Sequence, residues 1–262
     1  MLSYQHGFHA GNLADVHKHA LLAWALAYMT AKDKPLSYIE THAGRGLYRL
    51  DDAMALKTGE AAQGIGRAEG WFDADHPYTR VLTAVRAAHG GMAYPGSPLV
   101  AAMSLRATDR MRLAELHPQE VAALRETFAG HDAVIEQRDG LEMALATVPP
   151  TPRRGLMLID PSWEVKADYE TIPKLLVQVA RRWPVGVLML WYPILEGAPH
   201  APMLRTLMAA FPDALSHAVR FAPARPGHRM TGSGLFIVNP PYGLAQEAAR
   251  LSPLFAALPA QS

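Results

Sequence analysis

From residue 112 to residue 191 short apolar runs alternate with helical stretches, and beyond that point the alternation breaks. The spacing predicts strands at Arg112–Leu116, Ala133–Gln137, Gly155–Ile159 and Val185–Trp191. The helices between and after them fall at Pro118–Ala129, from Arg138-Asp139-Gly140 to Thr147, from about Asp168 to Trp183, and near Ala201–Ala210. Apolar runs too short for a helix, separated by helices, specify a parallel sheet covered on both faces. His217–Phe221 and Gly234–Val238 are then joined by a Pro/Gly/Arg-rich loop with no helix between them. A helix-free connection requires a hairpin, so one strand of the sheet is antiparallel. Leu36–Thr41 supplies an earlier strand, which makes about seven. Ligands of such sheets bind at the carboxyl ends of the parallel strands.

Before the alternation, residues 1–11 carry Tyr4, His6, Phe8 and His9 without periodicity and read as an extended tail. Asn12 is placed to cap a helix with Leu13, Val16, Ala20, Leu21, Trp24 and Tyr28 on its apolar positions. Residues 47–96 lack strand runs, and helical stretches around Gly59–Trp71 and Tyr78–His89 make them an inserted helical subdomain. The expected division is therefore 1–46 with 97–262 as one domain and 47–96 as the insertion. Ser97-Pro98 opens a helix with the preferred cap and first-turn proline, expected to run to about Thr108.

Composition narrows the setting. The chain has 262 residues, no Cys, a net charge of +1 and 50% hydrophobic residues. Disulfides and cysteine-ligated metals are thereby excluded, and any contact with nucleic acid has to use a local patch. No apolar stretch approaches the ~20 residues of a membrane span, and Met1–His6 lacks the pattern of an export signal. A soluble, cytoplasmic, monomeric protein is expected. His17 and His19 stand about 200° apart on a helix and cannot share one ion on one face. No metal site is expected.

The candidate chemistry sits at strand ends. Glu40-Thr41-His42-Ala43-Gly44-Arg45-Gly46 follows the first strand, where glycines let backbone approach a ligand. Glu115 ends the second strand, where such folds hold ribose hydroxyls, and Asp139-Gly140 ends the third, where an acid can read an adenine amine. Asp160-Pro161-Ser162-Trp163 ends the buried strand Gly155–Ile159. Three acids in this order on a parallel sheet with a terminal hairpin give the layout of S-adenosylmethionine-dependent methyltransferases. The pattern Asp/Asn-Pro-Pro-aromatic at the fourth position belongs to enzymes that methylate exocyclic amines of nucleobases. An amine whose lone pair is delocalised into the ring needs two hydrogen-bond acceptors to become nucleophilic. The Asp160 carboxylate and the Pro161 carbonyl provide them, and Trp163 offers a stacking face to an extruded base. A cleaner copy, Asn239-Pro240-Pro241-Tyr242, follows the strand expected to run antiparallel. It therefore falls at the opposite edge and reads as a strand-terminating turn. Trp191-Tyr192-Pro193 ends the fifth strand beside the proposed site.

These residues belong to a longer collinear set. The run Met1–Asn12 continuing through Ala14-Asp15-Val16 and Lys18-His19, with Thr41–Gly44, Tyr94–Pro98, Glu115–Pro118, Asp139-Gly140, Ile159-Asp160-Pro161, Leu190–Pro193 and Met230–Gly234, resembles the ribosomal RNA large subunit methyltransferase J family. The resemblance implies a Rossmann-like S-adenosylmethionine-dependent methyltransferase fold with an inserted helical subdomain. It also implies methylation of N6 of an adenine in 23S rRNA and a cofactor site from His19, His42, Ser97, Glu115, Asp139 and Gly140. Asp160 would be catalytic and Tyr4 would contact the RNA. The family usually has Asp-Pro-Pro-Tyr where this chain has Asp160-Pro161-Ser162-Trp163. Two further readings stay open on residues alone: a DNA adenine methyltransferase, and a non-catalytic RNA-binding protein on the same scaffold. RNA contact would draw on basic residues such as Lys18, Arg67, Arg80, Arg86, Lys166, Arg225 and Arg229.

Overall fold

A computed structural model of the chain describes residues 5–224, 227 and 229–259; Tyr4 and Arg225 lie outside them. Chain order runs α1 (Leu13–Thr30), β1 (Ser37–Glu40), β2 (Leu47–Arg49), α2 (Ala53–Thr58), α3 (Glu60–Gln63), α4 (Ile65–Ala68), α5 (Pro77–His89), β3 (Ala93–Pro95) and α6 (Ser97–Ala102). It continues with β4 (Arg110–Ala114), α7 (Pro118–Thr127), β5 (Val134–Glu136), α8 (Gly140–Thr147), β6 (Gly155–Ile159), α9 (Asp168–Arg182), β7 (Val187–Leu195), α10 (His200–Ala210), β8 (Leu215–Arg220), β9 (Met230–Val238) and α11 (Leu244–Ala256).

Among the described residues seven strands form one sheet in the order β5-β4-β1-β6-β7-β9-β8. The pairs from β5 through β7 are parallel, and β9 runs antiparallel to both β7 and β8. The helix-free connection produced the expected hairpin, with its second strand inserted against β7. All five residues of β6 are buried, Leu156 and Leu158 in the cluster on one face of the sheet and Met157 and Ile159 in the cluster on the other. That two-sided burial is why the strand reads as a continuous apolar run rather than an alternating one.

The α9 helix covers one face through Ile172, Leu176 and Val179, all fully buried. Each such side chain contributes roughly 1.5–3 kcal/mol relative to exposure. The opposite face receives α1, whose Asn12 side chain accepts from the Asp15 N–H at 2.9 Å as an N-cap. Val16, Leu21, Leu22 and Leu26 pack into that core with Phe255 of α11. Because α1 is enclosed on almost every side, Asp15, His17, Lys18 and His19 are buried as well.

Four expectations changed. The fifth strand does not end at Trp191-Tyr192-Pro193 but continues as β7 to Leu195. The segment 47–96 does contain strands: β2 and β3 pair antiparallel across three residues, too short to show a period of two. The helix opened by Ser97 ends at Ala102 rather than near Thr108. Residues 5–12 are not an extended tail, because His6–Phe8 form a short 3-10 turn. His6 and His9 there reach Asp15 and Glu60 at 2.8 and 3.0 Å. The described residues include no helix long and apolar enough to cross a membrane.

Candidate active site

The carboxyl ends of β1, β4, β5 and β6, with α1 across them, border a cleft of about 860 Å³. This is within the usual range for a small-molecule site, near its upper end. His19, His42, Ser97, Glu115, Asp139, Gly140, Asp160, Pro161 and Trp163 all line it, so every described residue expected at the cofactor, the chemistry or the base meets in one place. The strand-end residues come together because parallel strands deliver the residues after each C-terminus to the same edge, and α1 and α6 bring His19 and Ser97 to it.

The loop after β1 is shaped by close approaches. Gly44 has φ +61°, and a Cβ there would lie 2.5 Å from the Tyr48 hydroxyl. A Cβ on Gly140 would stand 1.7 Å from the Thr41 carbonyl oxygen, so only glycine lets α8 begin against this loop. Glu115 binds the two loops together: its Oε2 accepts from the Gly44 N–H at 2.8 Å and its Oε1 from the His117 N–H at 2.7 Å. Burial pushes this carboxyl up against those two donors. Each oxygen keeps a further acceptor site for a ligand hydroxyl. Asp139 caps α8, accepting from the Leu141 and Glu142 N–H groups at 2.7 and 3.0 Å.

Glu40 is fully buried beneath the loop and accepts from the Tyr38 hydroxyl at 2.7 Å and the Ser97 hydroxyl at 2.5 Å. Burial pushes its carboxyl up to about 8, so it is largely protonated at neutral pH. His42 Nδ1 stands 2.7 Å from the Thr41 hydroxyl, and burial holds the ring below the ordinary histidine value.

Helix α1 contributes what sequence reasoning missed. Lys18 is 4% exposed, with its Nζ 2.6 Å from Asp160 Oδ2 and 3.1 Å from Asp15 Oδ1. It is therefore an internal partner of the Asp160 carboxylate, unavailable to phosphate. Burial works against its charge, yet Asp160 and Asp15 raise it above the normal lysine range. Asp15 also accepts from the Gly11 N–H at 2.9 Å. Burial opposes its ionisation too, and His6 and Lys18 hold it well below the usual carboxylate range. The signal for Lys18 was its place one turn after Asp15, on the face that also carries His19.

The two α1 histidines diverge. His17 faces Ser233 and His217, whereas His19 Nδ1 meets the Tyr94 hydroxyl at 3.0 Å. Burial depresses His19 to about 3, so its ring is neutral. Its Nε2 has no hydrogen-bond partner among the described residues although it is buried in the cleft wall. The described residues hold no group of three His, Cys, Asp or Glu arranged for a metal.

On the loop after β6, Trp163 takes φ +58° and donates its indole N–H to the Trp191 carbonyl at 3.2 Å. Its ring is 6% exposed and lies 4.6 Å from that of Tyr169, which makes it a wall of the cleft more than an open platform. Trp191 is the less buried aromatic, with Lys18 Nζ 5.5 Å from its ring centroid. Asn239 lies at the other end of the sheet, since Val238 pairs with Leu188 at the start of β7. There its side-chain amide donates to the Pro184 and Gly186 carbonyls at 3.0 and 2.8 Å.

A sheet of this order, with acids at the ends of β4, β5 and β6 and glycine turns after β1, defines an S-adenosylmethionine-dependent methyltransferase. The family model RsmJ, described as "Ribosomal RNA large subunit methyltransferase D, RlmJ", matches residues 33–262. The chain belongs to this family of large-subunit ribosomal RNA methyltransferases. Ribosomal RNA large subunit methyltransferase J of Escherichia coli is 37% identical over 260 residues, covering 97% of this chain and 92% of the relative. The protein of the same name from Haemophilus influenzae is also 37% identical, over 263 residues and the same shares. A crystal structure from Legionella pneumophila superposes with a TM-score of 0.84 at 34% identity, covering 94% of this chain and 92% of that one.

Proposed function

We propose that this enzyme transfers the methyl group of S-adenosylmethionine to the exocyclic N6 amine of a specific adenine in 23S rRNA, with Asp160 as the catalytic residue. The observation that carries the reading is the Asp160 carboxylate beside the Pro161 carbonyl at the end of β6, opening on a cleft with the acceptors of that cofactor. The cleft suits the group on its own evidence. The spare acceptor sites of Glu115 and the second oxygen of the Asp139 carboxylate, both lining the cleft, suit a ligand with hydroxyls and amines. The Gly44 and Gly140 backbones come as close as only glycine permits.

His19, His42, Ser97, Glu115, Asp139 and Gly140 hold the cofactor in this reading. Bound there, S-adenosylmethionine supplies an electrophilic methyl group on a sulfonium. The residues of the chain supply the rest. Asp160 Oδ2 is held by Lys18, which fixes the plane of the carboxylate and leaves Oδ1 to accept from the adenine amine. The Pro161 carbonyl accepts the second amine hydrogen, so the nitrogen lone pair is freed from the ring. Asp160 then receives the proton that the methylated amine sheds. Ser162 does not alter this pair of acceptors, because the carbonyl belongs to the first proline. Trp163 and Trp191 border the base, and Tyr4 contacts the RNA.

Residues 1–46 and 97–262 form the methyltransferase domain of this reading and 47–96 its inserted unit. The short β2–β3 sheet closes the neck of that unit, and His76 to Glu247 at 3.2 Å ties it to α11. Among the basic residues considered for RNA, Arg80 and Arg86 pair with Asp75 and Glu69, whereas Arg229 lines the cleft rim.

The test is mass mapping of methylated nucleotides in 23S rRNA from cells with and without this protein, with transfer to protein-free 23S rRNA and to duplex DNA in vitro. One N6-methyladenine lost with the protein and restored by the wild type, but not by Asp160→Ala, is the expected result. Methylation of DNA alone, or full activity in Asp160→Ala, overturns it.

A further inference from the structure

We propose that His17 is a positioning residue that, through Ser233, fixes the Trp191 indole in the wall of the base-binding half of the cleft. The inference rests on the methyltransferase reading for its kinetic consequence, though not for its structural one.

His17 is fully buried, one residue before the Lys18 that touches Asp160, and it has no part in the transfer described above. It lies in a continuous line of hydrogen bonds from the cleft to α11. The Trp191 Nε1–H donates to Ser233 Oγ at 2.9 Å, and Ser233 Oγ is 2.9 Å from His17 Nδ1. His17 Nε2 is 2.9 Å from His217 Nδ1, and His217 Nε2 is 2.8 Å from Ser252 Oγ.

The proton order along this line follows from its first member. An indole can only donate, so Ser233 spends an acceptor site on Trp191 and its single hydrogen needs an acceptor. His17 Nδ1 is that acceptor, which puts the His17 proton on Nε2, directed at His217 Nδ1. His217 then carries its proton on Nε2 and donates to Ser252. The Ser252 hydroxyl ends the line on the Ala248 carbonyl at 3.4 Å. Every donor has an acceptor in this order, and both imidazoles are neutral. Burial, joined at His17 by the neighbouring His217, holds the two rings below the ordinary histidine value, which agrees with that order.

The consequence lies at Trp191. Its ring carries Lys18 on one side and its carbonyl receives the Trp163 indole, so it touches both the partner of Asp160 and the loop after β6. A serine hydroxyl alone is a poor director because it rotates. With its hydrogen committed to His17 Nδ1, the Ser233 lone pair stays aimed at Trp191, and the indole plane beneath Lys18 is set. A purely space-filling role against Phe255, 5.8 Å away edge to face, would need no nitrogen.

The experiment uses the full chain with 15N-labelled indoles, Trp191 being assigned from its loss in Trp191→Phe. His17→Leu removes both nitrogens and keeps the volume, and His17→Gln keeps an acceptor and a donor. The expected result is at least about tenfold faster hydrogen exchange of the Trp191 indole in His17→Leu. In the same variant kcat on protein-free 23S rRNA drops at least about threefold, with the cofactor Kd unchanged within about twofold. His17→Gln recovers both. Ser233→Ala, which removes the intermediate hydroxyl, gives the same signature should His17→Leu fail to fold. An unchanged Trp191 signal in a folded His17→Leu or Ser233→Ala chain overturns the proposal, as does a changed signal with unaltered kcat and RNA KM. If the wild type transfers no methyl group the functional reading fails, and the exchange rates still decide the relay.

Discussion

Lys18 Nζ lies 2.6 Å from Asp160 Oδ2 across 142 residues of sequence, and its second carboxylate partner, Asp15, is 3.1 Å away. One buried ammonium thus serves two buried or nearly buried carboxylates. Removing it leaves both anions without their common counter-charge, whereas neutralising Asp160 still leaves Lys18 with Asp15. Lys18→Met is therefore expected to cost about 3–5 kcal/mol and Asp160→Asn distinctly less, with the double variant less destabilised than the sum. Urea unfolding of the three variants checks the order. Equal losses in the two single variants would mean that Asp15 does not hold Lys18.

That pair marks the limit of what the sequence made legible. The strand–helix alternation, the antiparallel return of β9 and the assembly of strand-end acids in one cleft all follow from local periodicity and strand direction. Strand direction alone placed Asn239-Pro240-Pro241-Tyr242 at the wrong edge. For Lys18 the only local signal was its spacing from Asp15, which does not reveal burial, because that depends on α1 being enclosed by α5, α11 and the sheet together. A charged residue on a helix reads as solvated until those neighbours are known. The β2–β3 pairing escaped for a different reason, since three residues per strand are too few for a period of two to register. Trp163 looked like a free platform because nothing local announces Tyr169 against its ring.

The raised Glu40 carboxyl sets the sign of a pH dependence expected of the fold. That carboxyl is pushed up to about 8 from the ordinary 4.5, so the folded state holds a proton that the unfolded chain has released throughout that window. Its stabilising contribution is complete below about pH 4.5 and is lost as pH rises through 8. Relative to Glu40→Gln, which stays neutral, the wild type is expected to lose on the order of a few kcal/mol between pH 5 and pH 9. Denaturant midpoints of both proteins at pH 5, 7 and 9 measure this. A difference that stays flat with pH would mean that Glu40 is ionised in the fold.

Gly140→Ala tests the part of the cleft proposed to hold the cofactor. The new Cβ would meet the Thr41 carbonyl at 1.7 Å, and because both partners are backbone one loop has to move. A cost of about 1–3 kcal/mol in stability is expected. Cofactor affinity, read by calorimetry, should weaken by at least about tenfold, since the displaced loop carries His42 and Gly44. Unchanged affinity would remove the loop after β1 from the cofactor site.

Asn239→Ala separates motif from structure. Asn239 has φ +53° and donates to two carbonyls in the turn that leads into β7. Losing both bonds and a residue tolerant of that φ should cost about 1–2 kcal/mol. Turnover at a temperature where the variant is folded should stay within about twofold of wild type. Asn239→Gly keeps the backbone freedom and loses only the bonds, so it should fall between the two. A folded but inactive Asn239→Ala would transfer the chemistry to the second motif.

Trp163 takes over the restraint that a second proline would have given. Ser162 is exposed, but the residue after it, at φ +58°, is held two ways: by the indole bond to the Trp191 carbonyl and by the ring against Tyr169. A loop held at its third residue positions the Pro161 carbonyl without a proline at the second. Trp163→Phe keeps the ring contact and drops the bond, and kcat is expected to fall about threefold to tenfold with the cofactor Kd unchanged. Trp163→Gly relieves the backbone strain but leaves no anchor, so kcat should fall by at least about a hundredfold. Ser162→Pro should bring no gain, because the loop it would stiffen is already pinned. Single-turnover rates on 23S rRNA decide the matter: a tenfold faster Ser162→Pro enzyme would show that the loop was loose at Ser162 after all.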